Sequence, residues 1–474
     1  MTLLNEQDIL ANIKDQNSWW DTGKVDPELV PSFKRNEYEN VRFVFFNKIR
    51  RFPVLSGPRR VGKSTIMYQL IDELLQSGVK PSQILFYTFD DYPNDEVSIK
   101  DVVRVYNKYI YAKSDFYLFV DEAQNDYSWK SYLKQLYDLN KQIRALVSGS
   151  SSIEIEKNSN ESGAGRFLTI KIPTISFYEF CELNNKKIDI GEDVDVFKMH
   201  TLSLQEQTSI YLKLGSLYNE FIRYLKLGGF PEFAKNEHYS YVSKLIRDQV
   251  VTKAIRQDIP KMLSIRDVDA LSNLYSYFCY HTSDVLNVDV ISKALGIDRI
   301  TCNLYIDALQ TANLIYVSNQ LDIGGKKSLK PKRKIYVSDY GIRCAVTRNI
   351  DVELNDIEMG YAIETVSFKH TYDYFMSLDD LLYTVGYSRG DTSDKEIDIV
   401  IKQNNIDYQY IEAKYRKKAH VSDKDGIVVF GLKDVPGYVI TKDMFDFGLF
   451  NRKQTSIYRI PALAYFYLLG KSKK

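Results

Sequence analysis

The chain has 474 residues, of which 44% are hydrophobic and 26% are charged. These fractions are close to the averages of globular proteins, so they exclude an extensively disordered chain and predict a folded protein of about three domains. The 63 basic and 62 acidic residues leave a formal net charge of +1, which excludes a basic surface over the whole chain; any basic surface for nucleic acid or membrane must be local.

The cysteines and the N-terminal sequence indicate the cellular compartment. The N-terminus lacks the basic start and the apolar run of a signal peptide, and no stretch reaches the roughly 18 apolar residues that span a bilayer. The four cysteines lack the spacing of a zinc site and the density of a disulfide scaffold, which is typical of buried thiols in a reducing compartment. We therefore expect a cytoplasmic protein without a membrane segment. The cysteines are Cys181, Cys279, Cys302 and Cys344.

The first segment, residues 1–190, alternates short apolar runs with amphipathic stretches of helical length. Such alternation is typical of βαβ units with right-handed crossovers and a parallel sheet. We predict an α/β fold with helices on both faces of a parallel sheet, preceded by a helical extension. The predicted strands are PVLSG, ILFYTFD, FYLFVDE, IRALVSG and FLTIKIP, and the predicted helices lie within residues 64–77, 99–113 and 128–140.

The first predicted strand leads directly into GPRRVGKS, residues 57–64, which matches the pattern GxxxxGK[ST]. Glycines at the ends let the backbone wrap around phosphate, while the loop amides and the following helix N-terminus bind anions. Lys63 is predicted to reach the β and γ oxygens of ATP, and Ser64 to offer its hydroxyl to Mg²⁺. The predicted nucleotide contacts are Gly57, Pro58, Arg59, Arg60, Val61, Gly62, Lys63, Ser64 and Thr65.

A second buried strand, in YLFVDEAQ, ends in two carboxylates. Ligands of open α/β sheets bind at the carboxyl ends of the strands, so both acids are expected at the ATP site. Asp121 is predicted to hold the Mg²⁺ shell and Glu122 to be the general base that polarises the attacking water. Two adjacent acids at a buried strand end are otherwise hard to justify energetically. The pair indicates ATP hydrolysis rather than nucleotide storage.

Two later stretches supply further candidates for the ATP site. The strand ending in LVSGSSS places Ser148, Ser150 and Ser151 where a hydroxyl can bind the γ-phosphate or the lytic water, although a plain turn explains them equally well. Arg166, in SGAGRFLTIKIP, is a candidate for stabilising transition-state charge, in its own site or in that of a neighbouring subunit. A surface or structural arginine is the alternative.

The second segment, residues 191–350, is predicted to consist of successive helices, interrupted by the Gly-Gly-Phe-Pro turn at 228–231. VDVISKALGIDRITCNLYIDALQTANLIYVSN contains a short helix, a turn at Gly296, a second helix and a β-like run. This order predicts a winged helix-turn-helix, although small helical bundles share it. The basic stretch KKSLKPKRK, residues 326–334, is either a wing that contacts phosphate or a solvated loop, and we favour the solvated loop.

The third segment, residues 351–474, is predicted to be a separate α/β domain, with a helix containing Glu364 and strands YTVGYS, EIDIVIK and YQYIEAKY. Glu364, Asp398 and Glu412 are candidates for holding one Mg²⁺. Lys414, two residues after Glu412 and on the same face of its strand, is predicted to orient or activate water or to stabilise the phosphate. The alternative is a salt-bridged sheet domain that does not cleave.

The P-loop, VDEAQ, SGSSS, GRFLTIKIPTISFYEF and LGGFPEF together resemble the prokaryotic AAA-type ATPases that carry a winged-helix region and a nuclease-like C-terminal domain. The resemblance covers most of the chain and implies a five-stranded AAA-like core with a helical lid, and ATP with magnesium as ligands.

The acids of the third segment, with Glu412-Ala413-Lys414, resemble the PD-(D/E)XK nucleases, with Ile397 in place of the eponymous proline. Glu396 lies on the same strand face as Asp398 and competes for its role. The run Arg416-Lys417-Lys418 is either a phosphate contact or a solvated basic run.

Three hypotheses of function remain open from the sequence. The first is an ATP-driven switch or motor acting on nucleic acid, DNA or RNA. The second is a regulatory ATPase with a protein partner and an inactive nuclease-like domain. The third is a nucleotide-binding scaffold with negligible turnover, against which the acid pair argues. A trans-acting Arg166 would require a homo-oligomer.

Overall fold

The computed structural model of the protein describes residues 6–90, 97–149, 165–191, 194–263, 265–323, 331–349, 351, 353, 355–390, 395–416 and 419–473. The chain divides into two compact units, with the boundary along the sequence between Pro173 and Thr174, except that 261–264 and 311–313 group with the first unit. The domain boundaries predicted near residues 190 and 350 stay a prediction. None of the helices among the described residues is both long and apolar enough to cross a bilayer.

The first unit is built around a parallel five-stranded sheet with the strand order β2-β3-β4-β1-β5. All five predicted strands are present, and the predicted α/β class is confirmed. The elements are α1 (Glu6–Gln16), α2 (Trp19–Thr22), α3 (Tyr38–Phe46), β1 (Phe52–Ser56), α4 (Lys63–Gln76), β2 (Ile84–Thr88), α5 (Ile99–Tyr109), β3 (Tyr117–Asp121), α6 (Trp129–Leu139), β4 (Arg144–Gly149) and β5 (Phe167–Lys171).

The central strands of this sheet are buried because helices cover them, as their continuous apolar runs require. All five residues of β1 are buried, and so are four of the five residues of β3. Helix α5 begins with a capping box in which Ser98 and Asp101 satisfy each other's backbone amides. The sheet is parallel, so the carboxyl ends of β1, β3 and β4 lie at one edge, and Ser56, Asp121 and Gly149 end these strands.

The N-terminal extension covers the outer edge of the sheet at β2. The Asn17 side chain donates to the carbonyl of Phe86 at 2.8 Å and accepts from the amide of Phe86 at 2.7 Å. The Gln16 side chain accepts from the amide of Thr88 at 2.8 Å. Free edge groups of a strand are a template for unwanted pairing, so these side chains close the edge without adding a strand.

The second unit combines a helical region with a second sheet. The elements that follow β5, in chain order, are α7 (Phe177–Leu183), α8 (Leu204–Gly215), α9 (Tyr218–Leu227), α10 (Tyr239–Leu245), α11 (Ile259–Leu263), α12 (Val268–Tyr280), α13 (Val288–Leu295), α14 (Arg299–Thr311), β6 (Ile315–Asn319), β7 (Arg333–Val337), α15 (Tyr340–Thr347), α16 (Asp356–Leu378), β8 (Tyr383–Arg389), β9 (Glu396–Gln403), β10 (Ile406–Ala413), α17 (Gly426–Val429), β11 (Gly437–Thr441), β12 (Gly448–Arg452), β13 (Thr455–Pro461) and α18 (Ala462–Ser472). Two π-helical stretches, Ile246–Thr252 and Ala254–Asp258, lie between α10 and α11.

The second sheet has six strands in the order β12-β13-β11-β10-β9-β8. Strand β11 pairs in parallel with β10 and β13, and the other pairs are antiparallel. The strands predicted from YTVGYS, EIDIVIK and YQYIEAKY correspond to β8, β9 and β10. The Asp398 and Glu412 candidates therefore lie on neighbouring strands, as expected.

Helices α13 and α14 are separated by a turn at Gly296, whose φ of +67° is left-handed. Strands β6 and β7 follow and pair antiparallel. Residues 326–330 of the basic stretch lie outside the described part of the chain. Its last residue, Lys334, lies in β7 and is only 4% exposed, so the favoured interpretation as a solvated loop is wrong for Lys334.

Candidate functional site

The GPRRVGKS loop connects β1 to α4 and is shaped by its glycines. A Cβ atom on Gly57 would lie 2.0 Å from the carbonyl oxygen of Ile172, so a larger residue does not fit there. Gly62 adopts a left-handed φ of +93° and caps α4, which begins at Lys63. The loop therefore lies at the amino end of a helix, where free amides and the helix dipole favour an anion.

Lys63 and Ser64 place their polar atoms at this loop. The Lys63 Nζ atom donates to the carbonyl oxygens of Gly57, at 3.0 Å, and Pro58, at 2.7 Å. The Ser64 hydroxyl donates to Asp121 Oδ2 at 2.6 Å, which joins the start of α4 to the end of β3. A hydroxyl and a carboxylate are hard oxygen ligands, so this pair fits Mg²⁺.

Ser148, at the end of β4, links the two adjacent acids. Its hydroxyl donates to Asp121 Oδ1 and accepts from the backbone amide of Glu122 at 3.2 Å. Glu122 has a left-handed φ of +52°, which costs a non-glycine residue about 1 kcal/mol and turns its side chain out of the strand direction. The Gln124 side chain donates to the Glu122 carboxylate. Glu122 is thus held by its backbone and by its carboxylate.

Burial gives Glu122 the properties of a base. Burial raises the pKa of the Glu122 carboxyl, while the neighbouring Lys63 ammonium opposes that shift and the Asp121 charge adds to it. A carboxylate with a raised pKa is a stronger acceptor for a proton of water. The environment of Glu122 therefore suits the predicted role of general base.

Arg35 is a P-loop contact that the sequence analysis did not single out. Its guanidinium is buried, donates to the carbonyl of Val61 and to that of Pro173, the latter at 2.9 Å, and pairs with Glu37 at 3.1 Å. Arg35 therefore stabilises the main chain of the loop. Arg35 is separated from the motif by α3 and β1 and belongs to no local pattern, so the sequence offered no signal for it.

Arg166 lies at the edge of the sheet opposite the P-loop. It directly precedes β5, and its guanidinium makes two hydrogen bonds to Asp138, at 2.7 and 3.1 Å. Since β5 has five residues and a strand rises about 3.3 Å per residue, roughly 17 Å separate the two edges. This position does not suit action on its own ATP site. Ser150 and Ser151 lie outside the described residues.

A second group of titratable side chains lies in the second unit. Glu364 on α16, with Glu396 and Asp398 on β9, can bring one carboxylate oxygen each within 4.8 Å of the others; we call these three residues the carboxylate cluster. Burial, and then repulsion from Glu364, raises the pKa of Asp398 well above its usual range. Three acidic oxygen donors fit a hard divalent cation such as Mg²⁺.

Glu412 and Lys414 form an ion pair beside the cluster. Lys414 Nζ lies 2.8 Å from Glu412 and 3.2 Å from Asp425. The other oxygen of Glu412 accepts from the amide of Ile427 at 3.2 Å. Among the described residues, Glu396 rather than Glu412 completes the group of three acids. Metal binding by Glu412 stays a prediction.

Lys334 enters the cluster from β7. Its ammonium donates to Glu364 Oε1 at 3.0 Å and to Glu396. Tyr336, on the same face of β7, donates to the same Glu364 oxygen at 3.1 Å and stacks on Phe368 at 4.2 Å. Although burial acts to lower the pKa of Lys334, Glu364 and the neighbouring groups hold it well above its ordinary value. The lysine is charged at neutral pH.

A cleft of about 910 Å³ opens over Glu364, Glu396, Asp398 and Glu412. Acidic side chains are therefore surrounded by basic ones, an arrangement that suits a phosphate backbone with a bound metal ion. The basic residues that line the cleft are Lys395, Lys414, Arg416, Lys424 and Lys442.

Two family models match parts of the chain. Residues 50–181 match the family described as an AAA domain, and residues 218–353 match a family described as a domain of unknown function. The first match spans the P-loop, the acid pair and β5. The first unit therefore contains an AAA-type P-loop domain.

Two curated relatives share about a quarter of the aligned residues. An uncharacterized protein of Haemophilus influenzae is 25% identical over 300 residues, which cover 61% of this chain and 68% of the relative. Uncharacterized protein MJ1544 of Methanocaldococcus jannaschii is 24% identical over 298 residues, covering 62% of this chain and 61% of the relative. The match therefore spans less than two thirds of the second relative.

Solved structures show distant similarity. The Hsp104-ADP complex of S. cerevisiae has 16% identity and a TM-score of 0.29, covering 75% of this chain and 43% of that one. Cdc6p from Pyrobaculum aerophilum has 11% identity and a TM-score of 0.26, covering 70% and 99%. AMPPCP-bound DnaA from Aquifex aeolicus has 16% identity and a TM-score of 0.25, covering 59% and 89%. Scores this low say nothing about what this chain binds.

Proposed function

We propose that the AAA domain binds ATP with magnesium and hydrolyses it. The observation that carries this proposal is the hydrogen-bonded group at the carboxyl edge of the sheet, in which Ser64 and Ser148 both donate to Asp121. This group joins the P-loop to the strand end that presents Glu122. A nucleotide held by the loop is thereby placed beside a base.

Each residue of the group has a distinct task in this proposal. The loop amides and Lys63 bind the phosphates, and Glu122 accepts a proton from the attacking water. Ser64 and Asp121 hold Mg²⁺, which when bound neutralises phosphate charge. Ser148 keeps Asp121 oriented and fixes the backbone of Glu122. Arg166 could stabilise transition-state charge only in the ATP site of a neighbouring copy, and this role requires a homo-oligomer.

Nucleotide binding by the P-loop is tested with Lys63→Ala. We expect this variant to bind a fluorescent ATP analogue with Mg²⁺ at least about 100-fold more weakly, because the phosphates lose a charged partner. Lys100→Ala, an exposed lysine on α5, is the matched control and should bind like the wild type. Unchanged affinity in Lys63→Ala would contradict the assignment of the loop.

For the second unit we propose metal-dependent binding or cutting of a nucleic-acid strand, DNA or RNA. The observation in favour is the cleft that surrounds the carboxylate cluster with basic side chains. Lys414 is the residue proposed to stabilise phosphate charge there. We infer that α13, α14, β6 and β7 form a winged helix-turn-helix.

The exposed face of α14 favours a protein, rather than nucleic acid, as the partner of this helix. Ile300 is 84% exposed and Leu304 is 40% exposed, while Arg299 is paired with Asp289 at 3.0 Å. A helix that reads DNA usually presents basic and amide side chains to the groove. We therefore propose that phosphate groups contact the cleft and that the exposed face of α14 binds a protein. Binding of a protein partner is what the hypothesis of a regulatory ATPase expects.

Cleavage of labelled single- and double-stranded DNA and RNA separates these alternatives. The reactions contain Mg²⁺ or Mn²⁺, with and without ATP, and compare the wild type with Asp398→Ala, Lys414→Ala and the exposed control Asp434→Ala. Cleavage lost in the first two variants and kept in the control supports the nuclease proposal. No cleavage and no metal-dependent nucleic-acid binding, with ATP hydrolysis intact, contradicts it and favours the protein partner.

A further inference from the structure

We propose that Lys334 is an internal competitor for the divalent cation: its ammonium neutralises the carboxylate cluster until a metal ion displaces it. This inference rests on the metal-dependent function proposed for the second unit. It assigns to a residue of β7 a role in controlling a site built by α16 and β9.

The position of Lys334 follows from the register of β7. Residues two apart on a strand share a face, so Lys334 and Tyr336 both point toward α16. Both donate to Glu364 Oε1, at 3.0 and 3.1 Å. The Lys334 side chain is 4% exposed, and its ammonium also contacts Glu396. It therefore bonds to two of the three acids that are suited to a metal ion.

The balance of charge around the cluster favours exchange of the lysine for a metal ion. Glu364 and Glu396 share the single positive charge of Lys334. Two other cations near the cluster are committed elsewhere or farther away: Lys414 pairs with Glu412 and Asp425, and Arg389 lies 4.0 Å from Glu396. A divalent ion supplies twice the charge of an ammonium and binds oxygen at about 2.1 Å.

The ammonium and the metal ion cannot both hold the same oxygens. Glu364 Oε1 is already 3.0 Å from Lys334 Nζ, and two cations sharing it would repel each other, since the three acids are half-buried and only partly screened by water. Binding of the metal ion must therefore weaken or break the contacts of Lys334. The apparent affinity for the metal includes this cost, so Lys334 sets how much metal is needed.

Strand β7 connects this exchange to the rest of the second unit. Its partner β6 leads into Leu321, whose amide donates to the carbonyl of Tyr387 in β8 at 2.7 Å. The Gln320 side chain donates to the carbonyl of Arg389 at 2.9 Å. Displacement of Lys334 thus removes one of the contacts by which the β6–β7 pair is attached to the sheet. Metal occupancy and the placement of this strand pair are coupled.

The test is calorimetric titration of the full chain with Mn²⁺, without nucleotide. Binding that Glu364→Gln abolishes is assigned to the cluster. We expect Lys334→Met to bind Mn²⁺ at this site at least about tenfold more tightly than the wild type, because the competing charge is gone. Lys334→Arg keeps the charge and should stay close to the wild type.

Lys369→Met is the matched control for loss of a buried, ion-paired lysine. Lys369 is as buried as Lys334, but it pairs with Asp373 and donates to the carbonyl of Thr174 rather than to the cluster. We expect Lys369→Met to bind Mn²⁺ like the wild type. Equal or weaker binding by a folded Lys334→Met would overturn the inference and leave the metal site standing. No cluster-dependent binding in either protein would contradict the metal-dependent function and the inference together.

A second measurement uses the wild type and does not depend on the folding of a variant. Lysine acetylation by an amine-reactive ester, quantified by mass spectrometry, reports access to Lys334. We expect acetylation of Lys334 to rise at Mn²⁺ concentrations that saturate the cluster, while that of Lys369 stays constant. Unchanged acetylation of Lys334 at saturation would overturn the inference.

Discussion

At the scale of single residues, Gly57 shows how closely the P-loop is packed. The missing side chain leaves room for the carbonyl oxygen of Ile172, which a Cβ atom would approach to 2.0 Å. The obstacle is backbone, which cannot rotate away as a flexible side chain would. A methyl group at this position must displace the loop, and with it the amides that bind phosphate.

We therefore predict that Gly57→Ala reduces ATP affinity at least about tenfold, since loss of well-placed charge-assisted hydrogen bonds costs more than 1.4 kcal/mol. Equilibrium titration with a fluorescent ATP analogue measures the change. Gly78→Ala, whose added Cβ atom meets nothing within 4 Å, is a control for substitution of glycine in the same unit, although its φ of +89° will lower stability slightly. Wild-type affinity in Gly57→Ala would mean that the loop adapts.

His370 gives the second unit a dependence on pH. Burial, with the adjacent Lys369 charge, holds the pKa of His370 well below its usual value. Its Nε2 atom accepts a hydrogen bond from the amide of Phe177 at 3.0 Å, and the Nδ1 atom lies 2.9 Å from the carbonyl of Val366. Only a neutral ring protonated on Nδ1 satisfies both contacts.

Stability depends on pH in this way because His370 takes up a proton near pH 6.5 in the unfolded chain but stays neutral in the folded protein. The stability that the neutral ring contributes is present above that pH and is lost as the pH falls. We predict that the free energy of unfolding of the wild type falls by about 1.4 kcal/mol for each pH unit below 6.5. This loss should be absent from His370→Gln. Urea unfolding at pH 7.5 and 5.5 measures it; equal pH dependence in both proteins would contradict the role of His370.

At the scale of secondary structure elements, the edge of the first sheet depends on the loop between α1 and α2. Asn17 satisfies both the amide and the carbonyl of Phe86. Asn17→Ala leaves these buried groups unpaired, which should lower the free energy of unfolding by about 1–3 kcal/mol and promote aggregation through the exposed edge. Chemical denaturation and light scattering test this, with substitution of the exposed Asp15 by alanine as the control. Unchanged stability and no aggregation in Asn17→Ala would show that the edge needs no cover.

The elements that the sequence predicted correctly are those with a local signature. The five strands of the first sheet are apolar runs of strand length, and the P-loop is a contiguous motif between a strand and a helix. Residues that act across long separations left no such trace. Arg35 reaches Val61 and Pro173, and Lys334 reaches Glu364 and Glu396, only after the chain has folded.

The choice between Glu396 and Glu412 shows a second limit of the sequence. Glu396 lies two residues before Asp398 on β9, and Glu412 lies on the neighbouring strand β10, so strand alternation allows either acid to approach Asp398. The deciding contacts are the ion pair with Lys414 and the amide of Ile427, which hold the carboxylate of Glu412. The alternation of strand residues fixes the face on which a side chain lies, but partners from other elements select its hydrogen bonds.

At the scale of the whole molecule, the two proposed sites are built from different compact units. Residues of the ATP site precede Pro173, and those of the carboxylate cluster follow Thr174. We predict that Lys63→Ala retains the Mn²⁺ affinity of the cluster and that Asp398→Ala retains at least about half of the basal ATP turnover, because each unit has its own core. Calorimetry and phosphate release measure the two quantities. Loss of both functions in either variant would show that the sites depend on each other.

ATP turnover by Glu122→Gln, compared with the wild type under single-turnover conditions with Mg²⁺, tests the central claim most directly. The amide can keep the hydrogen bonds of the site but cannot accept the proton of the attacking water. We expect unchanged ATP binding and hydrolysis slowed at least about 100-fold, as loss of a general base commonly causes. Hydrolysis by Glu122→Gln at the wild-type rate would contradict the assignment of Glu122 and the mechanism built on it.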